Sequence, residues 1–578
     1  MFEIKEDFYL DGKPFRIISG SIHYFRVPSF YWHDRLVKLR NMGCNTVETY
    51  IPWNFHETKK GCFDFEGDHD VVAFIKEATK VGLYVIIRPS PYICAEYEFG
   101  GLPAWLLKDP AMRLRCNYKP YMDAVRDYYS VLLPKLVPYQ NDHGGNIILM
   151  QIENEYGYYG DDTSYMTALK DLMRKNGITI PLVTSDGPMH DSFEAGMCPE
   201  ALRTGNFGSH VKEQFKVMTD KGLKNKPLMC MEFWVGWFDA WGEAHHTSDL
   251  EQNKKDFEDA LTLGNVNIYM AEGGTNFGYT AGINAGARNP DVTSYDYDGV
   301  LTEDGQITPK YLAFKEIISR HAKISELPLE EIKRRNYGEL KCTGKAGLFE
   351  NLDNLTKPIH TLYPETMENL DSYYGYVLYR AALKKNEKAS VIQTEGAHDR
   401  VWAYQNSRLL FKQSNEQLDK PFTVAESEEG AVIDILVENC SRVNFGATME
   451  DQRKGLTKGL RINEYRHFGF DTYCLPLDKG QVERIDFAAG IKTGEPAFYR
   501  FEFDADECCD TFLDFTGFGK GVAIINGINL GRYWEIGPQR RLYVPSPYIH
   551  KGKNTIILFE TEGMSGETIT LTDKPQIG

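Results

Sequence analysis

The sequence lacks several things that would have narrowed its reading. It has no run of about 18 consecutive apolar residues, the length needed to cross a bilayer, so no membrane span is expected. Its first residues, Met1-Phe2-Glu3-Ile4-Lys5-Glu6-Asp7, are polar and acidic, without the cationic and then apolar pattern of a secretory leader. No basic stripe or arginine-rich run occurs, and 82 acids against 65 bases leave a charge of −17, which disfavours nucleic acid and anionic lipid surfaces alike. The eleven cysteines form no C-x-x-C pair. An odd, scattered set argues against a disulfide framework or a zinc site, and the vicinal Cys508-Cys509 reads as two reduced thiols. A soluble cytoplasmic protein without metal or cofactor is expected.

What is present is a long chain of globular character. At 578 residues, with 42% hydrophobic and 13% aromatic content, it exceeds what one core supports, and two to four domains are expected. From Arg16 to about Lys323, short apolar runs alternate with amphipathic stretches, the pattern of a parallel sheet. Strands are expected at 17–24, 46–51, 84–88, 147–151, 181–184, 203–207, 228–232 and 266–270, the sixth carrying the weakest signal. Helices are expected at 32–42, 71–81, 121–137, 164–175, 214–221, 250–263 and 309–321. Eight such strands in about 300 residues fit a (β/α)8 TIM barrel, whose chemistry sits at the carboxyl ends of its strands.

Those ends are loaded with polar groups. The fourth runs into Gln151-Ile152-Glu153-Asn154-Glu155-Tyr156-Gly157, and the seventh, Leu228-Met229-Cys230-Met231, runs into Glu232-Phe233-Trp234. A buried carboxylate costs several kcal/mol unless it is paired, so each of these needs a reason. One reason is a structural ion pair; the other is glycoside hydrolysis, in which one carboxyl protonates the leaving oxygen and a second attacks or activates water. Further aromatic and polar groups follow the second, third and eighth strands: Tyr50, the run Cys94-Ala95-Glu96-Tyr97, and Ser294-Tyr295-Asp296-Tyr297. Rings beside hydroxyls and carboxylates at one mouth suit a sugar, whose CH faces stack while its hydroxyls bond. Strand alternation points Glu153 away from its neighbours and toward a structural role. Glu48 and Glu57 read as supporting groups, Trp53 and Trp105 as packing, and His245-His246 as a solvated loop rather than a metal site. A buried acid at Glu96 is hard to justify except by sugar hydroxyls.

Five runs carry a family resemblance: Ser19-Gly20-Ser21-Ile22-His23-Tyr24-Phe25-Arg26, Tyr50-Ile51-Pro52-Trp53-Asn54-Phe55-His56-Glu57, Gly100-Gly101-Leu102-Pro103-Ala104-Trp105-Leu106-Leu107, residues 151–157, and Gly273-Gly274-Thr275-Asn276-Phe277-Gly278. In this order they resemble glycoside hydrolase family 35, the β-galactosidases, of the bacterial, intracellular type. The resemblance implies Glu155 as acid/base, preceded by Asn154, and Glu232 as nucleophile. It further implies a galactose pocket using Tyr50, Cys94, Ala95 through its backbone, Glu96, Asn154, Tyr269 and Tyr297. Tyr269 is expected to donate to Glu232 and hold it ionised. A retaining mechanism needs the carboxyls about 5–5.5 Å apart. Trp234, Trp237 and Trp241 are candidates for a platform under the leaving-side sugar, with packing equally open for each. Two departures from the family pattern, Tyr97 and Ala271-Glu272, are expected beside the pocket and leave an exo-β-glucosaminidase as the alternative substrate reading. A carbohydrate-binding barrel without catalysis is the alternative of another class; intact Glu155 and Glu232 count against it.

Beyond the barrel, taken as residues 1–325, residues 326–370 read as a charged surface linker. Two jelly-roll β-sandwiches are expected at 371–480 and 481–578, the second of galactose-binding type. An internal repeat supports them: Arg400-Val401-Trp402-Ala403-Tyr404-Gln405-Asn406 is echoed by Gly521-Val522-Ala523-Ile524-Ile525-Asn526-Gly527, with Asn406 and Asn526 120 residues apart. For these units a structural or homodimer-forming role is favoured over sugar binding. The partner expected for the whole chain is a β-galactoside oligosaccharide, cleaved from its non-reducing end.

Overall fold

The computed structural model describes residues 1–578 except Ser90 and Ser565. After a small N-terminal three-stranded sheet, eight parallel strands close into a barrel: β1 (Ile18–Ile22), β2 (Thr46–Tyr50), β3 (Tyr84–Arg88), β4 (Ile147–Gln151), β5 (Leu182–Asp186), β6 (Leu202–Asn206), β7 (Met229–Trp234) and β8 (Asn265–Glu272). Each strand pairs with its sequence neighbours, and β7 and β8 close the ring onto β6 and β1. The eight expected strands are all there, the sixth included. Covered on one side by helices and filled on the other by side chains, β1, β2, β4 and β5 are buried at every residue, so none shows the in-out alternation of a half-exposed strand; β4 reads as a continuous apolar run, while β1, β2 and β5 bury Ser, Thr, Glu and Asp among their apolar residues.

The outer helices are α1 (Trp32–Met42), α2 (Val71–Val81), α3 (Lys119–Leu136), α4 (Thr163–Lys175), α5 (Ser192–Ala195), α6 (Val211–Met218), α7 (Leu250–Leu263) and α8 (Pro309–His321). Their ends follow local chemistry. The Asp70 carboxylate accepts from the Ala73 N–H at 2.9 Å and starts α2, and Gly82, at φ 80°, ends it. Asp162, Asp249 and Thr308 cap α4, α7 and α8 in the same way. Two sequence expectations shift: the helix expected at 214–221 starts earlier, at Val211, and the one-turn α5 carries no periodicity to read. None of the helices is long and apolar enough to cross a membrane, among the described residues.

The expected linker is corrected in one respect. Gly338–Gly347 is a ten-residue strand whose first half pairs antiparallel with Thr568–Thr572 and whose second half pairs with Ala497–Ala505. Three glycines and two lysines blur its period, and only Leu340, Ala346 and Gly347 are buried. The six- and four-stranded sheets built between Ile359 and Leu475 are therefore inserted between this strand and the rest of the last β unit. The internal repeat is structural: in both copies a hairpin (Arg400–Gln405 with Arg408–Ser414; Lys520–Ile525 with Ile528–Trp534) pairs with a following strand. Asn406 and Asn526 turn the chain with positive φ and each accept, at 3.0 Å, an N–H from that strand, Val432 and Thr555 respectively. The two units share a core in which Leu348, Leu352 and Leu355 of a short helix meet Trp402, Leu436, Phe498 and Phe559.

Candidate active site

At the carboxyl end of the barrel lies a pocket of about 190 Å3, lined by Tyr50, Cys94, Ala95, Glu96, Asn154, Glu155, Glu232, Trp234, Tyr269 and Tyr297. All ten were named from the sequence, and the fold brings them to one pocket. Tyr158, Trp237, Phe238, Asn284 and Phe445 complete it.

The two glutamates stand in different surroundings. Glu232, on β7, accepts on Oε1 from the Tyr50 hydroxyl at 2.7 Å and Arg88 Nη2 at 2.6 Å, and on Oε2 from the Trp234 indole at 3.1 Å. Three donors, one of them a buried cation, converge on this one carboxylate. Glu155 follows β4 and takes one amide N–H, from Asn206 at 3.0 Å. Burial, and then the charge of Glu232, push its pKa up to about 8, against the smaller pull of that amide. Glu155 is thus set to hold its proton at neutral pH, beside a carboxylate ringed by donors.

Asn154 sits between them. Its Oδ1 accepts from Tyr50 at 2.9 Å, Arg88 at 2.5 Å and Gln151 at 3.1 Å, which fixes the amide with its NH2 as the end left for a ligand. Glu153 turns away into a buried bidentate pair with Arg115 at 2.8 and 2.9 Å and takes the Tyr165 hydroxyl at 3.1 Å. Its role is structural, as alternation implied.

The chain after β3 holds three consecutive non-glycine residues in the left-handed region, Cys94, Ala95 and Glu96, at φ 56°, 54° and 46°. Such strain persists where surroundings over-determine it. Here Arg26 Nη2 bonds the Ala95 carbonyl at 2.6 Å, and Gly282 N–H bonds the Glu96 carbonyl at 2.9 Å. Glu96 takes the Tyr295 hydroxyl, and burial raises its pKa to about 7 despite that bond. Tyr269 corrects one expectation: its hydroxyl pairs with that of Tyr295 at 3.2 Å, and the tyrosine bonded to Glu232 is Tyr50.

Other sequence readings also meet their geometry. Trp53 stacks on Tyr128 and donates to Glu57, and Trp105 packs edge-on against Trp53, so both pack as expected. Trp241 is buried against Trp534, whereas Trp237 is 43% exposed at the pocket edge. His245 and His246 are held by the Asp239 carboxylate at 2.7 and 3.0 Å rather than lying free, and no cluster suited to a metal exists among the described residues. The two departures do not line the pocket: Tyr97 packs on Phe25, and Glu272 is sealed in an ion pair with Arg35 at 2.9 Å.

The sequence reading missed Arg88, Asn206 and Phe445. Arg88 carried the signal used for the glutamates, a charge ending a buried strand. Phe445 carried none, because it comes from the inserted β unit some 350 residues after Cys94. The loop bearing it is anchored by Arg442, wholly buried between Glu98 and Glu368, each at 2.6 Å. Asn444 then bonds Asn284 at 2.9 Å and receives Tyr92 on its carbonyl at 2.6 Å.

Comparison with known proteins agrees with this geometry. Residues 7–321 match the model of glycosyl hydrolases family 35, residues 364–477 the first all-β domain of β-galactosidase, and residues 496–554 its galactose-binding domain. The chain is 40% identical to human beta-galactosidase-1-like protein 2 over 99% of its own length and 91% of that protein. It is 38% identical to human β-galactosidase (100% and 91%) and 37% identical to the Bos taurus enzyme (98% and 92%). These relatives are animal proteins and lend no support to the expected bacterial type. With a family match over the whole barrel and relatives aligned almost end to end, the chain belongs to glycosyl hydrolases family 35 and is a glycoside hydrolase.

Proposed function

We propose that this hydrolase is a retaining, exo-acting β-galactosidase that removes terminal β-galactose from oligosaccharides through a covalent galactosyl-enzyme. The observation that carries the proposal is the unequal treatment of two glutamates in one pocket: Glu232 with three donors, Glu155 buried and proton-holding. In the first step Glu232 attacks the anomeric carbon as the glycosidic C–O bond breaks, and Glu155 gives its proton to the departing oxygen. Glu232 then carries no charge, so the pKa of Glu155 falls and it takes a proton from water, which attacks the same carbon and frees Glu232. The Asn154 NH2 faces the sugar 2-hydroxyl, a contact that strengthens in the oxocarbenium-like transition state.

A volume near 190 Å3, below the roughly 300–1,000 Å3 of sites for drug-sized ligands, suits one sugar ring and so an exo mode. Tyr50, the Ala95 backbone, Glu96 and Tyr297 supply its hydroxyl partners, and Trp237 with Phe445 offers aromatic surface to the leaving sugar. Since Tyr97 and Glu272 stand away from the pocket, nothing local favours glucosamine. The β units are proposed as a buttress, with a homodimer as their further role. The cytoplasm is the proposed location, where eleven free thiols are at home. A panel of chromogenic β-galactoside, β-glucoside and β-glucosaminide tests the reading. Turnover of the galactoside alone is expected; galactose binding without turnover of any substrate would leave a lectin instead.

A further inference from the structure

Beneath the pocket, Arg88 links the proposed nucleophile to a carboxylate that the reaction does not touch. Glu48, on β2, is fully buried, with Oε1 3.8 Å from Arg88 Nε. Its Oε2 accepts from the Ser21 hydroxyl and, at 3.4 Å, from the Asn267 amide. Arg88 spends Nη2 on Glu232 and Asn154, and stacks over the Tyr50 ring at 4.0 Å. Its Nε and Nη1, like Glu48 Oε1, have no hydrogen-bond partner among the described residues. One guanidinium therefore serves two carboxylates inside the barrel. The other ionisable groups facing it are His23 beyond β1, Tyr50 on β2 and Glu155 beyond β4, with Tyr269 on β8 facing Tyr50 and Glu232.

We propose that Glu48 is a positioning residue for the nucleophile, acting through Arg88. By drawing on the same guanidinium it limits how far that cation stabilises the Glu232 carboxylate, and it braces the plane that keeps Nη2 on Glu232 and Asn154. A nucleophile left alone with a buried arginine would stay ionised to lower pH but attack more weakly, since basicity and nucleophilicity fall together. A purely structural ion pair is the competing account. Removing a structural partner would lower stability and leave the pH dependence of the surviving activity in place.

The inference rests on the double-displacement reading, and the experiment separates the two. The full-length protein, Glu48→Gln and Glu48→Asp are compared by kcat/KM on 4-nitrophenyl β-galactoside across the acidic and neutral range, with melting temperatures alongside. With Glu48→Gln the acidic limb is expected to move down by about one pH unit as kcat falls, while Glu48→Asp keeps the original limb. A folded Glu48→Gln whose limb has not moved would overturn the role. Should that variant fail to fold, Ser21→Ala substitutes: with one donor lost, Glu48 ionises less readily, and a smaller shift in the same direction is expected, its absence being equally contrary. Wild-type protein that turns over no glycoside would sink the catalytic reading itself, whereas active wild type with unmoved limbs removes only the part given to Glu48.

Discussion

Each residue of the pocket can be read as a solution to the cost of burying charge, and two substitutions separate the roles of the glutamates. Glu232→Gln, nearly isosteric, should abolish turnover of every glycoside while circular dichroism and melting temperature stay close to wild type. Glu155→Ala should spare substrates with good leaving groups, slow natural disaccharides by a further factor of about 100 or more, and recover on added azide. Equal losses on both substrate classes without rescue would exchange the assignments. Glu155 also has a stability signature. A carboxyl held near 8 in the fold and near about 4.3 in the unfolded chain binds its proton more tightly when folded, so stability is lost as pH rises between those values and the full loss persists above them. Glu155→Gln should therefore stabilise the protein by on the order of 1–3 kcal/mol at pH 8 and by clearly less at pH 5, as read by denaturant melts. At this scale the sequence was legible wherever a carboxylate or ring ended an apolar strand, which is how Glu155, Glu232 and Tyr50 were found. It was silent on hydrogen-bond direction: Tyr269 was as good a donor to Glu232 on paper as Tyr50, and only the fold of the ring at β8 turns it to Tyr295 instead.

Barrel strands such as β4 and β7 were legible because burial on both faces leaves a continuous apolar run with a length only a strand can have. Gly338–Gly347 was not, because its glycines and lysines serve a strand half exposed between two pairing partners. Nor was the loop that carries Asn444 and Phe445, whose only sequence signal is polar residues after a strand. Its anchor is the element most open to test. Arg442→Ala would leave Glu98 and Glu368 buried without their cation, and a loss of about 3–5 kcal/mol is expected, seen as a lower denaturation midpoint. Phe445→Ala should instead leave the midpoint in place and weaken KM for disaccharides more than for aryl galactosides, since only the former extend onto that wall. An unchanged midpoint in Arg442→Ala would mean that the loop is held by something other than this ion pair.

For the whole molecule, the inserted β unit makes the pocket a property of the full chain and not of the barrel alone, since Phe445 and Asn284 meet across that join. The electrostatic division between Glu155 and Glu232 then sets the working pH. With the acid at about 8, kcat/KM should hold through neutrality and fall tenfold per unit once pH passes well above 8, as the proton donor is lost. A profile already falling at pH 6 would contradict the desolvated setting of Glu155. The central claim is that Glu232 becomes covalently glycosylated in a pocket where Glu155 manages the proton. Its most direct test is the intact mass of the protein after incubation with 2-deoxy-2-fluoro-galactosyl fluoride, followed by peptide mapping. The account predicts a gain of one fluorogalactosyl group per chain, carried on Glu232; attachment at another residue, or no attachment by protein that still cleaves galactosides, would contradict it.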